Sequence, residues 1–346
     1  MPVFVSVKGH CRLLWLGLLA CGVPSLAWGQ DDYSDKSFGV RLRPAFLRFI
    51  EVCATGGATV ANRWSSAANP ASADWMPVPG RFGFILGPYY SHVAFKEGTR
   101  LHLTGESVTW DTGEWGTLQP AVVQIRTNRA TDSAGLVFDY SVDYGQVQWA
   151  KRFDDWAVGI GLSYGEATVK QDMGSLRVAE TEGSSYRVRV GALHEPIEHL
   201  LAGCIVEYGW APYETNALAF TPFGPMPVRI RGTERGFVLR PGISYEYAEL
   251  SNVYFDYQYG RFSNLGEHLR SHWWVVGADH RLLEWLWVRA STSIDGRGNA
   301  SGSCGISAYF SRTFGIDLGY QYDPLPEIQP EFGRSHILQL TVSARF

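Results

Sequence analysis

Read back from its C-terminus, the chain alternates. Leu338, Leu340, Val342, Ala344 and Phe346 fall on one side of an extended strand, and Gln339, Thr341, Ser343 and Arg345 on the other, the period of two that a two-faced strand imposes. The pattern recurs where Phe314, Ile316, Leu318, Tyr320 and Tyr322 alternate with Gly315, Asp317, Gly319 and Gln321. It recurs again at Cys304, Ile306, Ala308 and Phe310, at Leu286 to Ile294 with Arg289, Ser291 and Ser293 opposite, and at Val253, Phe255, Tyr257 and Tyr259. Trp156, Val158, Ile160, Leu162 and Tyr164 stand against Ala157, Gly159, Gly161, Ser163 and Gly165.

Strands of a soluble sandwich alternate too, but nothing then orders the connections by length. Here short connections are expected at Phe153–Asp155, Glu195–Glu198, Glu249–Asn252, Arg281–Glu284 and Arg312–Thr313. Longer ones fall between them, at Lys170–Ser185, Pro212–Pro227, Arg261–Ser271, Asp295–Ser301 and Asp323–Ser335. Short turns at one end and longer loops at the other is the arrangement of barrels that cross a bacterial outer membrane. About eleven strands follow residue 135, and Arg81 to Thr127 has room for about three more, so the spacing predicts an all-β, transmembrane antiparallel β-barrel of about fourteen strands over residues 79–346. Twelve and sixteen stay open. Pro88 and Pro120 fall in the first three strands, where neither can donate to a ladder.

Composition narrows the class. Of 346 residues, 45% are apolar, 14% aromatic and 18% charged, and no apolar run reaches the roughly 18 to 20 residues of a spanning helix. The 38 glycines, 13 tryptophans, 17 tyrosines and 18 phenylalanines suit strands, tight turns and membrane-interface aromatics. The net charge of −4, with both signs scattered, offers no nucleic-acid footprint.

Residues 1–29 read as a cleavable secretory signal peptide: Lys8 and Arg12 precede the apolar stretch Leu13 to Val23, and Ala27-Trp28-Gly29 is a small-x-small cleavage site before Gln30. A second reading, the lipobox-like Leu18-Leu19-Ala20-Cys21, would make Cys21 a lipidated N-terminus. After cleavage Cys53, Cys204 and Cys304 remain, with no close pair. Export with a terminal aromatic strand resembles the signal by which the barrel-assembly machinery recognises outer-membrane barrels, and assigns that role to Leu338, Leu340, Val342, Ala344 and Phe346.

Residues 30–78 do not alternate. Asp31, Asp32 and Asp35 open them, a small-residue run follows from Ala54 to Ala61, and Asn69-Pro70-Ala71 closes them ahead of the first strand. Such a segment is too small for a core of its own, and a barrel lumen is available to fold against. The small-residue run ending in Asn69, Pro70 and Ala71 resembles the hatch of the FadL/TodX-type outer-membrane transporters, which import long-chain fatty acids and other hydrophobic compounds. That resemblance implies a fourteen-stranded barrel plugged by an N-terminal hatch, here 30–78. The chain departs from the family in having Ser72 where Gly or Leu is common. A bland turn before the first strand is the competing reading of Asn69-Pro70.

Asp139, Asp143, Arg187, Arg189, Arg229, Arg231, Asp256, Asp279, Arg289 and Asp317 are placed on the lumen face, either lining a passage or pairing across a wet interior. The Pro212–Pro227 connection carries Leu218, Phe220, Phe223 and Met226, and is expected to form an outward-facing apolar capture loop. Histidines such as His194, His199, His268, His272 and His280 form no metal or catalytic motif. No catalytic residue, cofactor or metal is therefore expected. The expected partners are outer-membrane lipid and a hydrophobic solute carried by a monomer; a general porin or structural barrel is the second reading, and an outer-membrane enzyme the third.

Overall fold

The computed structural model describes residues 36–37, 40–41, 60–61, 69–75, 84–96, 98–127, 130–131, 135–311 and 313–346. The expected signal peptide, Cys21, Cys53 and the run 54–59 lie outside them. The strands are β1 (Phe84–Phe95), β2 (Arg100–Asp111), β3 (Thr117–Thr127), β4 (Ala130–Thr131), β5 (Val137–Phe153), β6 (Trp156–Met173), β7 (Leu176–Ile197), β8 (Leu200–Thr221), β9 (Gly224–Ala248), β10 (Ser251–Asn264), β11 (Glu267–Leu283), β12 (Leu286–Asp295), β13 (Ala300–Tyr309), β14 (Phe314–Tyr322) and β15 (Ser335–Arg345). Consecutive strands pair antiparallel, except that β3 and the two-residue stub β4 both pair with β5, and β15 closes on β1. The result is a closed barrel of fourteen strands, which satisfies every edge in a medium without water.

Parity sorts the side chains. On β6, Trp156, Val158, Ile160, Leu162 and Tyr164 are exposed while Ala157, Gly159 and Gly161 are buried. The exposed set is the lipid-facing one and the buried set the interior. On β15, Leu338, Leu340, Val342 and Ala344 share the outward face, and Phe346 follows the strand, exposed. Among the described residues, no helix is long and apolar enough to cross a membrane.

The wall is uneven in height. β12, β13 and β14 have 10, 10 and 9 residues, about what a tilted strand needs to span a bilayer. β7, β8 and β9 have 22, 22 and 25, so about half of each stands clear of the membrane. This corrects the expected long loops at Lys170–Ser185, Pro212–Pro227 and Arg261–Ser271. Those segments are ladder almost throughout, joined by tight turns such as Leu265-Gly266, both in the left-handed region. Extra length on that side is spent on taller hairpins. The connection after β14 is different: it folds into the two short helical turns Pro326–Ile328 and Gln329–Phe332.

Four pairings of the wall are interrupted beside a proline, β7–β8 at Pro212, β9–β10 at Pro241, and one on either side of the β1–β2 hairpin. The β1–β15 pairing skips Gly87 and Pro88, and the β2–β3 pairing skips Gln119 and Pro120, with register unchanged on either side. Proline has no N–H to give. The β1–β2 ladder between the two gaps is continuous from Phe84 to Ala94, so this hairpin is bonded more weakly to its neighbours than within itself.

Candidate functional site: the barrel interior

Asn69, Pro70 and Ala71 come together on the interior wall. Asn69 caps the 3-10 turn Pro70–Asp74, its Oδ1 accepting from the Ala71 N–H at 3.0 Å. Its Nδ2 donates to the Val60 carbonyl at 2.9 Å and to the Ala192 carbonyl of β7 at 3.1 Å. Residues 69–73 are fully buried. The wall admits them because it is cut away beneath: a Cβ on Gly159 would stand 2.5 Å from the Ala71 nitrogen, and one on Gly191 would overlap Asn69 Oδ1. Those two glycines are register partners on β6 and β7.

The other described residues of 36–75 follow a line down the lumen. Near the tall end Val40 packs with Val238, Phe262 and Leu269, and Arg41 bonds Glu331 and, at 3.1 Å, the Glu327 carbonyl. Lower, the Val60 N–H donates to Asp256 Oδ2 at 3.0 Å, the same oxygen that accepts from Arg240 Nη2 at 3.0 Å. At the short-turn end Asp74 accepts from Thr117 Oγ1 and from the Arg152 N–H. Arg152 in turn lies over the Trp75 ring at 4.3 Å.

Beside this line runs a ladder of polar groups. Arg189 Nε donates to Glu207 Oε2 at 2.7 Å, Arg187 Nη1 reaches the same oxygen at 3.4 Å, and Arg187 also bonds the Tyr144 hydroxyl. Gln148 Nε2 bonds Gln119 Oε1 at 3.1 Å, and Gln119 bonds Thr109. Arg289 bonds Asp317 at 3.1 Å, and Asp279 holds Asn252. The expected lumen positions of Arg187, Arg189, Asp256, Asp279, Arg289 and Asp317 therefore agree with strand parity. Asp139, Asp143, Arg229 and Arg231 do not: they face outward, Asp143 pairing with Arg126, and Arg229 and Arg231 with Glu214. All four lie where polarity has changed sides.

That change is the main feature of the tall end. On β6 the outward set passes from Ile160 and Leu162 through Tyr164 to Glu166, Thr168 and Lys170, while the inward set passes from Gly159 and Gly161 to Ala167 and Val169. On β8 and β9, Ala217 and Ala219 face Val228 and Met226 on the inner side, while Glu214, Arg229 and Arg231 hold the outer side. Water now lies outside and apolar surface inside. On β6 the inward Ala167 and Val169 pack against a buried cluster of Val93, Phe95, Leu103, Val123, Ile125, Phe138, Val142, Tyr144 and Ile337, with Leu325, Ile328 and Phe332 folded in from the β14–β15 connection. At the mouth of this connection, burial pushes the Asp323 carboxyl up from its ordinary range, against hydrogen bonds from Gln329 and Ser335. Of the expected capture residues, Leu218 and Phe220 share the outer face, Phe223 stands at the hairpin tip and Met226 lies on the inner face. They do not form one patch. The inward-folded connection was missed in the sequence, although its Leu325, Ile328 and Phe332 were visible there.

No family model and no curated protein matches the sequence. The fold does have likenesses among crystal structures. The Pseudomonas putida toluene transporter TodX superposes with a TM-score of 0.51 at 11% identity, over 84% of this chain and 95% of that one. A TodX deltaS2S3 mutant, described as a monoaromatic hydrocarbon channel, gives 0.55 at 11% identity over 86% and 98%. A Pseudomonas aeruginosa FadL homologue gives 0.55 at 10% identity over 85% and 97%. At these identities the likeness is one of fold.

Proposed function

We propose that this chain carries hydrophobic molecules inward across the outer membrane, with long-chain fatty acids as the class its interior fits best. The observation that carries the reading is the inversion of polarity at the tall end: a barrel serving water and ions has no use for an inward Ala167 and Val169 packed on a buried apolar cluster, nor for Ala217, Val228 and Met226 on the inner side of the β8–β9 hairpin. Residues 30–78 act as the hatch in this reading, with Asn69, Pro70 and Ala71 as its anchor. The names of the superposed channels, for toluene and monoaromatic hydrocarbons, agree with a hydrophobic cargo.

The fatty-acid assignment rests on what lies beneath the cluster. Tyr144 belongs to it and also accepts from Arg187, beside Arg189 and Glu207. A tail held by the cluster would place a carboxylate near two guanidinium groups that share one glutamate. Passage then goes sideways, through the wall at the β1–β2 hairpin, which has an interrupted pairing on both of its sides, because lipid suits an apolar solute better than a water-filled pore.

Uptake of labelled palmitate and of toluene by proteoliposomes, beside conductance in a planar bilayer, tests this. The expected result is palmitate uptake with little steady conductance, reduced by Arg187→Gln together with Arg189→Gln. Toluene uptake alone would remove the fatty-acid assignment; large conductance with neither solute taken up would overturn the reading in favour of a porin.

A further inference from the structure

On the outer surface, the hairpin of β1 and β2 carries two histidines that the transport reading does not use. His92 of β1 and His102 of β2 are register partners, and His92 pairs on its other side with the outward Leu338 of β15, so both imidazoles lie on the outward face. Both are half-buried, near the outer ends of their strands. Their ring centroids are 4.8 Å apart, and Nδ1 of His92 is 3.3 Å from Nδ1 of His102. In the sequence they form no linear motif, and only the strand register brings them together.

The aromatic belt accounts for one of these rings and not for the other. A tyrosine hydroxyl meets a histidine Nδ1 at Tyr90 and His102, 2.6 Å apart, and at 2.7 Å both for Tyr257 with His272 and for Tyr320 with His336. Each of these histidines lies diagonally across the ladder from its tyrosine, whose direct partners are Thr104, Trp274 and Leu338. Such rings suit the membrane interface. Directly opposite the histidine, however, β10 sets Tyr259 and β14 sets Tyr322, whereas β1 sets a second histidine, His92. The girdle needs an amphipathic ring at that position, and tyrosine supplies one on the other two hairpins.

A neutral imidazole carries one N–H and one lone pair, and two nitrogens this close cannot both hold a proton, so at least one lone pair faces the gap. Two nitrogens bound to one tetrahedral metal ion, each at about 2.0–2.1 Å, stand about 3.3 Å apart. We infer that His92 and His102 form a surface site for one divalent metal ion that prefers imidazole, zinc or copper, held through the two Nδ1 atoms with water completing its shell. Arg126, the register partner of His102 on β3, is turned to the Asp143 carboxylate at 2.7 and 2.9 Å and to the Val142 carbonyl at 2.7 Å, so its charge is already met. Arg100, the next outward residue above His102, is exposed to solvent, which screens it. Among the described residues no cluster of three or more His, Cys, Asp or Glu is placed to hold a metal, so this pair is where a titration should read. The site lies outside the lumen and stands whether or not the cargo is a fatty acid.

Calorimetric titration of the full barrel in detergent with Zn(II) measures the affinity, and electron paramagnetic resonance of the barrel loaded with one equivalent of Cu(II) counts the nitrogens on the ion. Wild type should bind one ion most tightly and show two imidazole nitrogens. H92N and H102N should each weaken binding at least as much as loss of a group that merely supports a metal ligand, about 10- to 100-fold, and should reduce the copper signal to one nitrogen. H336N, whose imidazole meets only tyrosine rings, should bind as wild type does. Heat-modifiable electrophoretic mobility shows that each variant has folded. Unchanged zinc affinity in H92N or H102N would overturn the inference, as would a copper signal from wild type with a single nitrogen. So would a loss in H336N equal to that in H102N.

Discussion

A methyl group at position 191 has nowhere to go. The Cβ of Gly191→Ala would overlap Asn69 Oδ1, and that oxygen is already committed to the Ala71 N–H. Overpacking of this kind costs about 1–3 kcal/mol, and here it falls on the docking of residues 69–75 and not on the β6–β7 ladder. Gly191→Ala should leave heat-modifiable mobility of the barrel unchanged while raising steady conductance and protease cleavage ahead of β1. Asp256 is the opposite case. Its Oδ2 takes both Arg240 and the Val60 N–H, and the side chain is wholly buried. Asp256→Ala removes the carboxylate from beside a buried guanidinium, a change of about 3–5 kcal/mol, which should lower the thermal unfolding temperature of the whole barrel. Asp256→Asn keeps one acceptor and should lose less.

At the scale of elements, β1 and β2 form a panel joined to its neighbours across two gaps. Replacing both prolines, Pro88→Val and Pro120→Val, restores the donors facing β15 and β2, so the barrel should gain thermal stability and lose hydrophobic uptake without losing assembly. Undiminished uptake would show that passage does not use this stretch of wall. The β14–β15 connection offers a pH test. With its carboxyl pushed up by burial, Asp323 is protonated more readily in the folded connection than in an unfolded chain. The connection is therefore favoured at low pH and loses that contribution as pH rises from the ordinary aspartate range through the raised value. Hydrogen exchange of 325–334 should slow as pH is lowered across that window after correction for intrinsic rates, and Asp323→Asn should flatten the dependence.

These elements differ in how far the sequence reveals them. Alternation at Trp156–Tyr164 and Leu338–Phe346 is visible without a structure, because lipid outside and glycine or serine inside give the period two sharply contrasting sets. The same period continues through Glu166–Lys170 and Arg229–Arg231, but with polarity reversed, and a reader who equates polar with inward then misplaces Asp143 and Arg229 and takes tall ladder for loop. Pro324, Pro326 and Pro330 mark the β14–β15 connection as non-strand, yet nothing local shows that Leu325, Ile328 and Phe332 turn inward. That is decided by apolar partners on β1, β2, β3 and β5, more than a hundred residues earlier. The anchor was legible in part: Asn69-Pro70 marks a turn by itself, but the recess formed by Gly159 and Gly191 exists only once β6 and β7 are paired.

At the scale of the whole molecule, the barrel is two vessels joined end to end. The membrane half is apolar outside and polar inside, whereas on the tall half the inward Ala167 and Val169 of β6 pack against the cluster that holds Phe332, and the inner side of the β8–β9 hairpin carries Ala217, Ala219, Val228 and Met226. A hydrophobic solute arriving from water gains by entering that surface at about 25 cal/mol per Å² of apolar area it loses to water. Placing charge on the inner face should therefore cut uptake while sparing the fold, since the hairpin stands clear of the membrane and both its faces are already accessible. Val228→Asp with Ile230→Asp should assemble normally and lose most hydrophobic uptake at low solute concentration. Charge added to the outer face, as in Leu218→Asp with Phe220→Asp, should have little effect. If the outer pair proves the damaging one, capture takes place on the outside of the hairpin, and the inverted inner face serves only to seat the loop that carries Phe332.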